Sequence, residues 1–170
     1  MDELKFMQRL AELLAEATVQ RELGQIADDL LAELRSDPAK PKSTFRSIPL
    51  SLYGSALPPE IRSSWVFALR GGIAHPPERH PNSIQRMFAL NRLGAFDWWD
   101  GGRWVTQQLR PGGDGLSIPV DTWHRMPAQD HDWAVVSFHT AADEELVEIV
   151  GDPASGAIGS ARTYLTGDAA

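Results

Sequence analysis

Gly72-Ile73-Ala74-His75-Pro76-Pro77-Glu78-Arg79-His80-Pro81-Asn82-Ser83-Ile84-Gln85 and Gly113-Asp114-Gly115-Leu116-Ser117-Ile118-Pro119-Val120-Asp121-Thr122-Trp123-His124 are the stretches that decide the fold. In the first, Gly72 is followed by five residues, then Glu78-Arg79-His80, then four residues and Gln85. Residues i and i+2 of a strand point to one face, so Glu78 and His80 enter the same side of a sheet, where His124 can meet them from another strand. Two imidazoles with one carboxylate suit iron, manganese, nickel or zinc and leave coordination positions open.

Working outward, the sequence between residues 43 and 150 is a series of short apolar or alternating runs separated by Gly, Pro, Asn and Asp. Examples are Trp65 to Leu69, Arg86 to Leu90, Trp104 to Leu109 and Trp133 to Phe138. Many short strands at this spacing predict a sandwich or barrel. Phe96 to Trp104 reads as a hairpin, with Asp100-Gly101 supplying the positive φ of the turn.

Ahead of the strands, apolar residues recur from Leu4 to Leu34 at helical spacing, so one or two helices open the chain, with Gly24 as the expected divider. Asp37-Pro38 and Pro41 stop that pattern and make residues 36–43 a linker. The expected organisation is therefore helices over 1–36, packed on the barrel or on a partner, a barrel over 45–150, and a tail over 151–170. That tail, rich in Gly, Ala and Ser, is expected to lie loosely on the domain or to be partly disordered.

Composition narrows the chemistry. The 170 residues suit one domain, 42% are hydrophobic and 23% charged, and no apolar run reaches the length of a membrane span. No signal-peptide pattern follows Met1-Asp2-Glu3-Leu4-Lys5, so a cytoplasmic protein is expected. There is no cysteine, which leaves metal binding to His, Asp, Glu, Gln or water. A net charge of -7 makes nucleic acid a poor partner.

The two stretches resemble the paired motifs of the cupin superfamily. Glu78 stands at the first His of the first motif, His80 at the second, and Gln85 at the Glu, while the closing glycine is displaced to Gly94. In the second motif Asp121 replaces the inner glycine and His124 is the ligand position. The resemblance implies a mainly β protein, a double-stranded β-helix or jelly-roll barrel preceded by one or two helices. It also implies one divalent metal, Fe(II) favoured and Zn, Ni or Mn possible, held by Glu78, His80, His124 and optionally Gln85. Homodimerisation is expected because cupin barrels commonly pair through sheet faces.

A second, weaker resemblance is to cysteine dioxygenase-like thiol dioxygenases, which also carry helices ahead of the barrel. Ser137-Phe138-His139 falls 13 and 15 residues after His124, where those enzymes have Ser-X-His-X-Tyr, although the tyrosine position is Ala141 here. In that role His139 would hydrogen-bond through Ser137 and help orient dioxygen or a substrate acid group. The function implied is a mononuclear non-haem iron oxygenase acting on a small acidic molecule, with Arg46 as the favoured carboxylate binder and Trp123 lining the pocket or packing the barrel. Two alternatives stay open: Lewis-acid isomerase or lyase chemistry on the same metal, and a non-catalytic small-molecule-binding module. His75 and His131 are expected in surface loops.

Overall fold

The computed structural model describes residues 2–36 and 42–163. Helix α1 spans Glu3–Leu14, capped by Asp2, whose carboxylate accepts from the Lys5 backbone N–H at 3.0 Å. Helix α2 runs over Ala17–Ser36. The break falls at residues 15–16, not at Gly24. Gly24 lies inside α2, because the buried series Val19, Leu23, Ala27, Leu30, Leu31 and Leu34 continues across it. Packing of that stripe outweighs the roughly 1 kcal/mol that an interior glycine costs a helix. Most of the linker, residues 37–41, lies outside the described residues.

Eleven strands follow among the described residues: β1 Ser43–Ser47, β2 Ser63–Leu69, β3 Glu78–Arg79, β4 Gln85–Ala89, β5 Gly94–Trp99, β6 Trp104–Leu109, β7 Leu116–Ile118, β8 His124–Arg125, β9 Trp133–His139, β10 Val147–Asp152 and β11 Ala157–Thr163. They form a five-stranded sheet in the order β1-β2-β9-β4-β7 and a six-stranded sheet in the order β11-β10-β3-β8-β5-β6. The pairings are antiparallel. The expected hairpin is present, with Trp99 opposite Trp104 and Gly101 at φ 97° in its turn. Of the tail expected to be loose, residues 157–163 form β11, which pairs with β10 across a bulge at Val150/Gly151, and residues 164–170 lie outside the described residues.

Strand alternation divides the apolar side chains into two cores. Val66, Ala68, Phe88, Ala134, Val136 and Phe138 leave the outer face of the five-stranded sheet and pack against α1 and α2. Met87, Phe96, Leu109, Leu116, Trp133 and Val135 fill the space between the sheets. The leucine stripe of the helices thus covers the chain's own barrel. Among the described residues no helix is long and apolar enough to cross a membrane.

Candidate metal centre

The inward parity that buries Met87, Trp133 and Val135 also carries polar residues at one end of the barrel. Gln85, Ser137, His139 and Ser63 share it, and all are buried. Glu78, at the start of β3, lies opposite His124 of β8. His80, two residues on, faces the same interior. The ligating atoms of Glu78, His80 and His124 lie within 4.8 Å of one another. His124 Nε2 is 3.5 Å from Glu78 Oε1, and the two imidazole centroids are 5.3 Å apart.

Backbone carbonyls set the ring orientations. His80 Nδ1 lies 2.9 Å from the Val147 carbonyl and His124 Nδ1 lies 2.9 Å from the Thr122 carbonyl. A carbonyl only accepts, so each Nδ1 carries the proton and each Nε2 presents a lone pair. Burial lowers both pKa values, that of His124 to about 4, so both rings are neutral near pH 7. The charge of the neighbouring His124 also lowers that of His80, and Glu78 opposes it.

A second buried carboxylate, missed in the sequence, lies beside the group. Glu148 of β10 is 2% exposed, hydrogen-bonds the side chain of Glu78, and accepts from Arg162 Nε at 2.8 Å. Burial and the charge of Glu78 push Glu148 up to about 7, against the opposing pull of Arg162. Burial also raises Glu78. The available signal was a single acid within Val147-Glu148-Ile149-Val150, an apolar run that reads as a core strand.

Gln85 and the Ser137–His139 pair form the adjoining wall. Gln85 lies opposite His139, and its buried Oε1 has no hydrogen-bond partner among the described residues. The His139 ring stands edge-on to His80 at 5.4 Å, with Nε2 3.1 Å from Ser137 Oγ and Nδ1 3.5 Å from Ser83 Oγ. Burial holds His139 well below the usual imidazole range. Two neutral imidazoles, a carboxylate and the orphaned Gln85 oxygen are a donor set that fits a divalent cation.

Two expected site residues lie elsewhere. Arg46 is exposed on β1, donating to Glu33 of α2 at 3.2 Å, because its parity turns it away from the interior. The expectation of an acidic substrate loses that cation. Trp123 has the opposite parity to His124: the Arg79 guanidinium sits 4.9 Å over its ring, and it packs against Gly151 outside the cavity. His75 and His131 both lie in loops, half-buried, with His131 Nε2 donating to the Leu93 carbonyl at 2.8 Å.

No family model and no curated protein matches the chain. Among solved structures, it is similar to the DMSP lyase DddQ from Ruegeria pomeroyi DSS-3 at 18% identity and TM-score 0.50, covering 66% of this chain and 53% of that one. It is similar to pumpkin seed globulin at 18% identity and TM-score 0.51, covering 67% and 30%. It also resembles the oxalate decarboxylase of Lactobacillus farciminis at 12% identity and TM-score 0.50, covering 65% and 32%. The chain spans about half the length of the first of these and about a third of the others. At such identities the likeness concerns the fold alone, the two-sheet jelly roll that the resemblance of the two glycine-led stretches implies. The chain folds as a β jelly roll with two covering helices and a Glu-His-His group inside it.

Proposed function

We propose that this cupin is a metal-dependent enzyme, a mononuclear non-haem iron oxygenase acting on a small organic molecule. The observation that carries the reading is the pair of neutral imidazoles, His80 and His124, each tied through Nδ1 to a carbonyl, with His124 Nε2 3.5 Å from Glu78 Oε1 and the ligating atoms of all three residues within 4.8 Å of one another. Fe(II) held by two His and one carboxylate supplies open positions for substrate and dioxygen. Glu148 adjoins Glu78, and Arg162 donates to Glu148 in turn. Gln85 offers a neutral oxygen to the same space, and the Ser137 hydroxyl with His139 offers a proton donor that is buried from water.

A second reading keeps the metal and dispenses with dioxygen. It is favoured by Glu148, whose carboxyl, held near neutral pKa, suits proton abstraction in a lyase or isomerase.

Elemental analysis of protein purified without added metal tests both. About one equivalent of iron is expected, with loss from both His80→Ala and His124→Ala; unchanged metal content in both variants would overturn the site. Dioxygen uptake that vanishes with the iron supports the oxygenase, and turnover retained under anaerobic conditions supports the second reading.

A further inference from the structure

A cleft of about 470 Å³ opens between α1 and strands β5, β6 and β7, where the edge strands β6 and β7 of the two sheets leave the barrel wall incomplete. Its walls are the apolar side chains of Leu4, Met7, Trp98, Leu116 and Ile118, and its polar groups include Gln8, Gln107 and Thr122. Among the described residues no Lys, Arg or His lines it, and Asp114 places a carboxylate on its rim.

The deep wall of the cleft adjoins the metal centre. Trp98 lies directly opposite His124 between β5 and β8, and Ile118 lies directly opposite Gln85 between β4 and β7. Directly paired antiparallel residues project to the same face with Cβ atoms about 5 Å apart. Trp98 and Ile118 therefore separate the cleft from His124 and Gln85 by one side chain.

We infer that this cleft is a binding site for an uncharged molecule with an apolar or aromatic body, that its inner end abuts the metal centre through Trp98 and Ile118, and that helix α1 forms its outer wall. The inference rests on the proposed function only for what lies at the inner end. A carboxylate ligand would be desolvated against leucine, methionine and tryptophan with no cation to meet it, and Asp114 would repel it. A neutral body gains from the same surfaces, and a hydroxyl finds partners in Gln8, Gln107 or Thr122.

The probes are 2-naphthol and 2-naphthoate, which share a ring system and differ in charge. Binding to the full chain is followed by calorimetry, and Mn(II)-induced relaxation of the ligand protons reports distance from the metal centre. The naphthol is expected to bind and the naphthoate to bind at least about tenfold more weakly, a difference of about 1.4 kcal/mol. Leu4→Trp and Gln8→Trp alter exposed side chains at the mouth, so the fold is retained, and each should weaken naphthol binding by about tenfold or more. Mn(II) should broaden the bound naphthol signals. Equal binding of the two probes, no binding of the naphthol, or naphthol binding unchanged in both variants would overturn the inference. Because calorimetry needs no metal, the cleft can fail while the metal analysis succeeds, and the reverse.

Discussion

At the scale of single residues, the barrel uses buried polar side chains whose partners are set by backbone position. Glu3, at the start of α1, accepts from Arg86 Nε at 2.7 Å and Nη2 at 2.9 Å and from Ser117 Oγ at 2.6 Å, and so ties the helix to two strands. The Arg86 side chain is 4% exposed and lies 3.9 Å over the Phe6 ring, whereas Glu3 is about half exposed. The Arg86 hydrogen bonds hold the Glu3 carboxyl below the ordinary carboxylate value near 4.5. A depressed folded-state pKa gives stability that is present above the unfolded value and lost as pH falls through the folded one. Glu3→Gln should therefore cost about 1–2 kcal/mol at neutral pH, discounted for solvent screening of the exposed partner, and flatten the loss of stability below about pH 4.5. Urea unfolding midpoints measured from pH 3 to 7 check it, and an unchanged pH profile would remove Glu3 from this role.

Asp121 is the residue-scale case where a departure from the motif keeps its geometry. It is the one non-glycine residue at positive φ, 61°, among the described residues, and it sits where the motif has glycine. Its backbone N–H donates to the His80 carbonyl at 2.8 Å and its carboxylate accepts from Arg79 Nη1 at 2.6 Å. Aspartate tolerates the left-handed region better than most side chains, so the turn carrying His124 forms without glycine.

At the scale of elements, close approach between strands decides which substitutions the barrel accepts. Gly94, the displaced closing glycine, begins β5, and a Cβ there would lie 2.1 Å from the Trp133 ring of β9. That ring is 2% exposed and packs against Phe96 at 6.2 Å, so it has little room to move. Gly94→Ala should destabilise the chain by about 1–3 kcal/mol, the cost of overpacking a core, and thermal unfolding measures it. A melting temperature equal to that of the parent would show that the ring shifts freely. The same elements position the site: β3 is two residues long, yet pairing with β8 and β10 brings Glu78, His124 and Glu148 to one face.

At the scale of the molecule, α1 and α2 are part of the barrel's packing. They cover the face bearing Val66, Ala68, Phe88, Ala134, Val136 and Phe138, and α1 also walls the cleft. Deleting residues 1–36 should leave that face exposed, with aggregation or strong binding of a hydrophobic dye as the readout. A monomeric, cooperatively folding product with no dye binding would show the barrel to be independent of its helices.

Strand runs, helical spacing and the two glycine-led stretches determined the architecture from sequence alone, because hydrophobic period and turn chemistry are local properties of the chain. The same local rule put Glu78 and His80 on one face, two residues apart. Long-range pairing decided the rest. Glu148 reaches Glu78 only because β10 pairs with β3, and Arg46 leaves the interior only because β1 pairs with β2 in a register that turns it outward. Gly24 stays helical because α2 is held by a sheet that begins well after it, and residues 157–163 form a strand because β10 offers them an edge. Those outcomes depend on partners distant in sequence, whose position is settled only when the two cores close.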